Sequence, residues 1–264
     1  MTGNKNLTEP LSTNMLNRVH SFFFTLLKRK HRYKYALVSL ILLFSLEAKS
    51  QETINLPAYT HQYLHFGFII GIDWANFVID PKPNFPKFDT LRTIRSAPQT
   101  GFALGIVSEI KLTKYLKIRF VPALAFSDRE LEYYFQGVDT FTVTKQTQSV
   151  FLNFPVDIKL ISKRLKNFEA YVIGGGEFAR DLFSQKNVNQ QLAGVNATVR
   201  LLPNDWYYEA GGGLEFYLPY FKFGIELKIS QGIKNLLVPD NTIYTESIET
   251  LKSKIYLLSF TFEG

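Results

Sequence analysis

Beyond residue 64, apolar and polar positions along this chain alternate with a period of two. In residues 221–229, Phe221, Phe223, Ile225, Leu227 and Ile229 form one set, and Lys222, Gly224, Glu226 and Lys228 form the other. Successive side chains of an extended backbone point to opposite faces, so this pattern predicts a strand with one greasy and one polar face. The same division recurs over residues 66–74, 102–112, 116–126, 152–160, 206–218 and 256–262. An eighth stretch, 169–182, is strand-like without a clear division of faces. Eight strands are predicted.

The links between them alternate in length. Long ones cover roughly residues 80–100, 135–147, 183–204 and 235–252, and short ones cover 113–115, 162–167 and 219–220. Short turns on one rim and long loops on the other are the signature of an all-β, eight-stranded antiparallel up-and-down barrel. With an even strand number, both ends of the barrel chain fall on the short-turn rim.

Volume decides which face points outward. The seven clear strands place 34 bulky apolar side chains on one face. The bore of an eight-stranded barrel is only just wide enough to be filled by side chains, so that set cannot fit inside and must meet lipid. A transmembrane β-barrel is therefore expected, with outer-membrane lipid as its surroundings. The opposite face then lines a narrow lumen, placing Asp73, Glu109, Lys111, Lys117, Arg119, Asp157, Lys159, Glu209, Glu215, Glu226 and Lys228 there as a structural network of opposed charges. Trp74, Tyr133, Tyr134, Trp206, Tyr207 and Tyr208 fall near the long-loop rim and Tyr63, Tyr115, Tyr217 and Tyr220 near the other. Two interfacial aromatic girdles are expected.

Charge and composition add the compartment. Lysine and arginine number 30 against 23 acidic residues, for a formal charge of +7. Residues 1–50 hold eight basic and two acidic side chains, so the other 214 residues are close to neutral and offer no nucleic-acid footprint. Within that leader a basic run, KRKHRYK, precedes a 12-residue apolar run, residues 35–46, and then Ala48 and Ser50. That order predicts a secretory signal peptide cut between Ser50 and Gln51, since 12 residues are too few for a spanning helix. The expected organisation is an amino-terminal extension with signal over 1–50 and an outer-membrane barrel over 51–264, its long loops extracellular and both mature termini periplasmic.

Candidate chemistry is sparse. Cysteine is absent, which removes disulfides, thiolate nucleophiles and zinc thiolate sites. Beyond the leader the histidines are His61 and His65, both expected at the short-turn end and remote from any long loop. A hydrolase needs a base beside its nucleophile, so no catalytic, cofactor or metal residue is assigned and no small-molecule substrate is expected. The triplets 174–176 and 211–213 are glycine throughout but lack the Lys and Ser/Thr of a phosphate-binding loop. A hairpin centred near residue 193 would pair Gly175 with Gly212, giving either a point of strand curvature or a smooth wall for a partner's backbone. Pro122 and Pro155 fall within strands and are expected to mark bulges.

Several segments together resemble the PorT family of outer-membrane proteins of the Bacteroidetes type IX secretion system. They are LHFGFIIGID (64–73), GFALGIVSEIKLTKYLKIRFVPALAF (101–126), FLNFPVDIKL (151–160), YVIGGGEFARDL (171–182) and EAGGGLEFYLPYFKFGIELKIS (209–230). The run FYLPYFKF, 216–223, is the most specific piece; GIVSEIKL and FPVDIKL fit barrels of this kind more widely. The resemblance implies a structural or assembly role in exporting proteins that carry a type IX signal, often linked to gliding motility, with other components of that system as partners. It supplies no catalytic residue. The competing reading from the pattern alone is a free-standing barrel serving as an adhesin or minor porin.

Overall fold

A computed structural model describes residues 54–83, 91–136, 140–147, 149–183, 199–239 and 242–264. The predicted signal segment and the Ser50/Gln51 cleavage point lie outside the described residues. Among the described residues there are twelve strands: β1(Leu64–Pro81), β2(Leu91–Ala97), β3(Gln99–Lys111), β4(Leu116–Phe120), β5(Ala123–Phe126), β6(Arg129–Gln136), β7(Thr140–Thr147), β8(Val150–Ile161), β9(Phe168–Asp181), β10(Asn204–Tyr217), β11(Lys222–Gly232) and β12(Ile248–Glu263).

Nine of them form one sheet that closes on itself, all pairs antiparallel. β1 pairs with both β12 and β3, and β4 and β5 together make a single stave between β3 and β8. The result is an eight-staved up-and-down barrel. Val121 and Pro122 interrupt the third stave, with Pro155 on the neighbouring strand. No residue is inserted there, because Phe120 pairs with Val156 and Ala123 with Asn153 in one continuous register. The prolines delete ladder bonds without making the expected bulges.

The faces divide as volume requires. Phe66, Phe68, Ile70 and Ile72 of β1, Phe102, Leu104 and Ile106 of β3, and Leu227 and Ile229 of β11 are exposed, while the intervening positions are buried or half-buried. An outer surface this apolar meets lipid. Among the described residues no helix is long and apolar enough to cross a membrane, so strands do it.

The links assigned as long loops contain more structure than their pattern suggested. β2, β6 and β7 build a separate three-stranded sheet at the long-loop end. Leu91, Leu131, Tyr133 and Phe135 of that sheet pack with Val199, Leu201, Leu236 and Leu237 of the loops, with Tyr244 of the short helix α1(Ile243–Glu246), and with Phe77 and Leu251 of the barrel wall. The long-loop end thus carries an apolar cap.

Three tyrosines expected in the girdles do not stand there. Tyr133 is wholly buried in the cap, and Tyr207 and Tyr217 are buried in the lumen. Each occupies an inward position of its strand, so the alternation that puts Trp206 and Tyr208 in lipid turns Tyr207 away from it. Trp74, Trp206 and Tyr208 near one rim and Tyr63, Tyr115 and Tyr220 near the other are exposed.

Candidate functional site: a charged lumen

Glycine, alanine and serine occupy many inward positions, which leaves room for long charged side chains to cross the bore. Gly213 shows the constraint: a Cβ there would come within 2.5 Å of both the Ile225 carbonyl and the Tyr171 hydroxyl. Into this space project two layers of ionised groups.

The layer nearer the short turns is built around Glu109 and Arg119. Glu109 receives Arg119 at 2.6 Å, Lys159 at 2.7 Å, Lys117 at 3.0 Å and Lys222 at 3.4 Å. Arg119 reaches on to Glu226 at 2.7 Å and to Glu215 and Glu263 at 3.4 Å. Lys222 joins Glu215 at 2.9 Å and Glu263 at 2.8 Å, and Lys159 also pairs with Glu215. Four cations thereby face four carboxylates, all nearly devoid of solvent exposure. Dehydrating so many charges costs several kcal/mol per ion, and the layer is tolerable only because every cation meets at least one carboxylate and Arg119, Lys159 and Lys222 meet two or more. Tyrosines fill the gaps: Tyr171 donates to Glu226 at 2.7 Å and Tyr217 to Glu169 at 2.8 Å.

The second layer centres on Lys228, whose ammonium lies 2.9 Å from Glu209 and 3.6 Å from Asp157. Ser230 donates to Glu209 at 2.6 Å, and buried Glu177 adjoins the same carboxylate. Between the layers a cavity of about 40 Å³, lined by Ile69, Val121, Asp157 and Glu177 among others, has room for little more than a water. Asp73 stands apart, nearer the cap, and accepts from the Ser127 hydroxyl.

Both mouths are stopped. At the short-turn end a 3-10 turn, Ala58–His61, lays Tyr59 across the opening. Its ring stacks on His65 at 3.8 Å and its hydroxyl donates to Glu263 at 2.7 Å. Burial, helped by the nearby Glu263 carboxylate against the pull of Lys222, holds the Tyr59 phenol far above its ordinary pKa. Arg164 fixes this segment by donating to Asn55 O and, at 3.1 Å, to Thr60 Oγ1. At the other end Arg129 donates to Ser253 Oγ at 2.7 Å and to Tyr207 Oη at 3.2 Å, beneath the apolar cap.

Of the residues assigned to the lumen from sequence, Asp73, Glu109, Lys117, Arg119, Asp157, Lys159, Glu209, Glu215, Glu226 and Lys228 are all buried inside the barrel. Lys111 is not among them. It is the last residue of β3, so its side chain leaves by the mouth and donates to the Thr60 carbonyl at 2.6 Å. His65, Glu169, Glu177, Asp205, Lys222 and Glu263 are buried as well and do not figure among the sequence assignments. Lys222 and Glu263 follow from parity alone, since each neighbours an outward phenylalanine.

The glycine wall is a second correction. Gly175 pairs with Glu209 and Gly212 with Val172, a slip of three residues from the expected register. Gly175 faces inward, where a Cβ would strike the Asp157 carboxylate, whereas Gly212 lies on the outward set with Leu214. The two cannot share one surface. The carboxylates of Glu109, Glu215 and Glu263 bring oxygens within 4.8 Å of one another, but Arg119 and Lys222 already occupy the space between them.

A closed antiparallel barrel with an apolar exterior, an ion-paired interior and stopped mouths is a membrane-embedded β-barrel without an open bore. The chain belongs to the outer membrane protein beta-barrel domain family, whose model matches residues 47–238, and it is an outer-membrane protein. Among solved structures it is similar to the outer membrane protein OprG from Pseudomonas aeruginosa, with 11% identity, TM-score 0.43, 76% of this chain and 97% of that one covered. Neisserial surface protein A (NspA) shows 9% identity, TM-score 0.39, and coverage of 75% and 96%. Ail, the attachment invasion locus protein of Yersinia pestis, shows 13% identity, TM-score 0.33, and coverage of 77% and 100%. No curated protein sequence matches the chain.

Proposed function

We propose that this protein is a component of the type IX secretion system, with a structural or assembly role in protein export and, in cells that glide, in motility. The resemblance of residues 209–230 to the PorT family supports the reading, and its most specific run forms the tip of the β10–β11 hairpin. The observation that carries the mechanistic part is the filled lumen. With the bore occupied by ion pairs and Tyr59 and Arg129 at its two ends, the barrel acts through its outer wall, loops and cap on other components rather than by passing solutes. In this reading the short turns and both mature termini face the periplasm, and the cap faces outward from the cell.

Deleting the gene in its own host and measuring secretion of proteins with a type IX signal tests the proposal. Cargo should accumulate in the periplasm. Unchanged secretion would contradict it and leave a free-standing adhesin or minor porin.

A further inference from the structure

The short-turn rim carries a cationic feature separate from the lumen network. Lys114 sits in the turn between β3 and β4, and Lys163 in the turn between β8 and β9. The two turns lie side by side, because the Ile161 N–H donates to the Tyr115 carbonyl at 2.9 Å across the β4–β8 seam. Between them is a recess of about 80 Å³ lined by Lys111, Lys114, Lys163, Arg164, Thr60 and Ser162, with the exposed Tyr115 and buried groups such as Lys117 and Glu169 behind them.

These cations are not equally available. Arg164 is occupied by the Lys166 carbonyl at 2.7 Å, by Thr60, Asn55 and Asn167, and by the Tyr217 ring 3.5 Å away. Lys111 is held by Thr60. Lys114 lies 5.6 Å from the Tyr115 ring, and neither it nor Lys163 is ion-paired with any described residue. The acid that lines the recess, Glu169, is buried and accepts from Tyr217. The Thr60 hydroxyl accepts from Arg164 and keeps its own proton to donate. Two unmatched ammonium groups therefore border a pocket of roughly the size of a tetrahedral oxyanion.

Position supplies the source of the anion. Tyr63, Tyr115 and Tyr220 are exposed around the same rim, the arrangement that places a barrel's edge at headgroup depth. We propose that this recess holds the phosphate of an anionic phospholipid headgroup, gripped by Lys114 and Lys163 with Thr60 as a hydroxyl donor. The proposal rests on the membrane location alone and is independent of the secretory reading.

Native mass spectrometry of the folded full-length chain, offered phosphatidylglycerol, phosphatidylcholine or inorganic phosphate, tests it. Wild type should retain phosphatidylglycerol in preference to phosphatidylcholine. K114A/K163A should bind phosphatidylglycerol about thirtyfold more weakly, as expected for losing two interfacial lysines. Both residues lie in exposed turns, and unchanged heat-modifiable migration verifies that the variant is folded. Inorganic phosphate held as tightly as the lipid, and lost in the double variant, would uphold the phosphate recess but overturn the lipid as its source. Equal retention of phosphatidylglycerol by wild type and K114A/K163A would overturn the proposal.

Discussion

Glu109 and Arg119 stand directly opposite each other on β3 and β4, with a guanidinium nitrogen 2.6 Å from a carboxylate oxygen. From that local cross-strand pair the guanidinium extends across the bore to Glu226 on β11 and Glu263 on β12. One side chain thus ties together strands at opposite ends of the barrel sequence. An interaction begun by neighbours in the chain becomes a strut that holds the cylinder closed.

Breaking that strut on one side only leaves uncompensated charge. Glu109→Gln removes the acceptor of four cations and should lower unfolding stability in detergent by about 3–5 kcal/mol. Glu109→Gln with Arg119→Met should cost less than the sum of the single changes, because each deletion removes the other's stranded partner. Urea titrations followed by tryptophan fluorescence measure both.

Inward glycines should be intolerant where outward ones are not. A Cβ at Gly213 would sit 2.5 Å from the Ile225 carbonyl, whereas one at Gly176 would meet nothing nearer than the Tyr207 carbonyl at 3.5 Å. Gly213→Ala should cost about 1–3 kcal/mol by overpacking. Gly176→Ala should stay within about 0.5 kcal/mol. Parallel heat-modifiability curves distinguish them.

The alternation of seven strands made the barrel, its outward face and ten of the lumen charges legible, since a filled bore leaves bulky side chains one place to go. Parity also delivers Lys222, Glu263, Tyr207 and Tyr217; Tyr207 is expected in the girdle because its neighbours Trp206 and Tyr208 belong there, and Tyr217 because it lies next to the short turn at 219–220. The strand from Phe168 to Asp181 hid Glu169 and Glu177, because its three glycines leave too few bulky markers to tell the faces apart. The Gly175 register failed for another reason. It depends on how residues 182–203 are taken up between β9 and β10, which strand periodicity does not encode. The cap is not legible because its core gathers a few residues from each of several segments far apart in the chain.

The cap should respond to alkali before the barrel does. Burial raises the pKa of Tyr133 above its ordinary value, and its hydroxyl donates to the Tyr244 carbonyl at 3.2 Å. A phenol whose folded pKa exceeds the unfolded one contributes stability that is complete below about pH 10 and is lost as pH rises beyond it. Proteolysis of the detergent-solubilised protein should therefore cut within the β6–β7 hairpin more readily at pH 11 than at pH 8, with barrel migration unchanged. Tyr133→Phe should blunt this pH dependence.

The stopped mouths forbid a wide pore. In planar bilayers the purified protein should give no stable porin-sized conductance step, and a reproducible one would show that the ionic layers part.

The absence of cysteine permits the most direct test of the lipid-facing, ion-filled arrangement. Single cysteines placed in turn along residues 223–229, spin-labelled and reconstituted in bilayers, report contact with membrane-dissolved oxygen by power-saturation spectroscopy. Labels at 223, 225, 227 and 229 should be readily reached by oxygen, while those at 224, 226 and 228 should be immobilised and shielded. The opposite phase, with labels at the even positions bathed in lipid, would contradict the account.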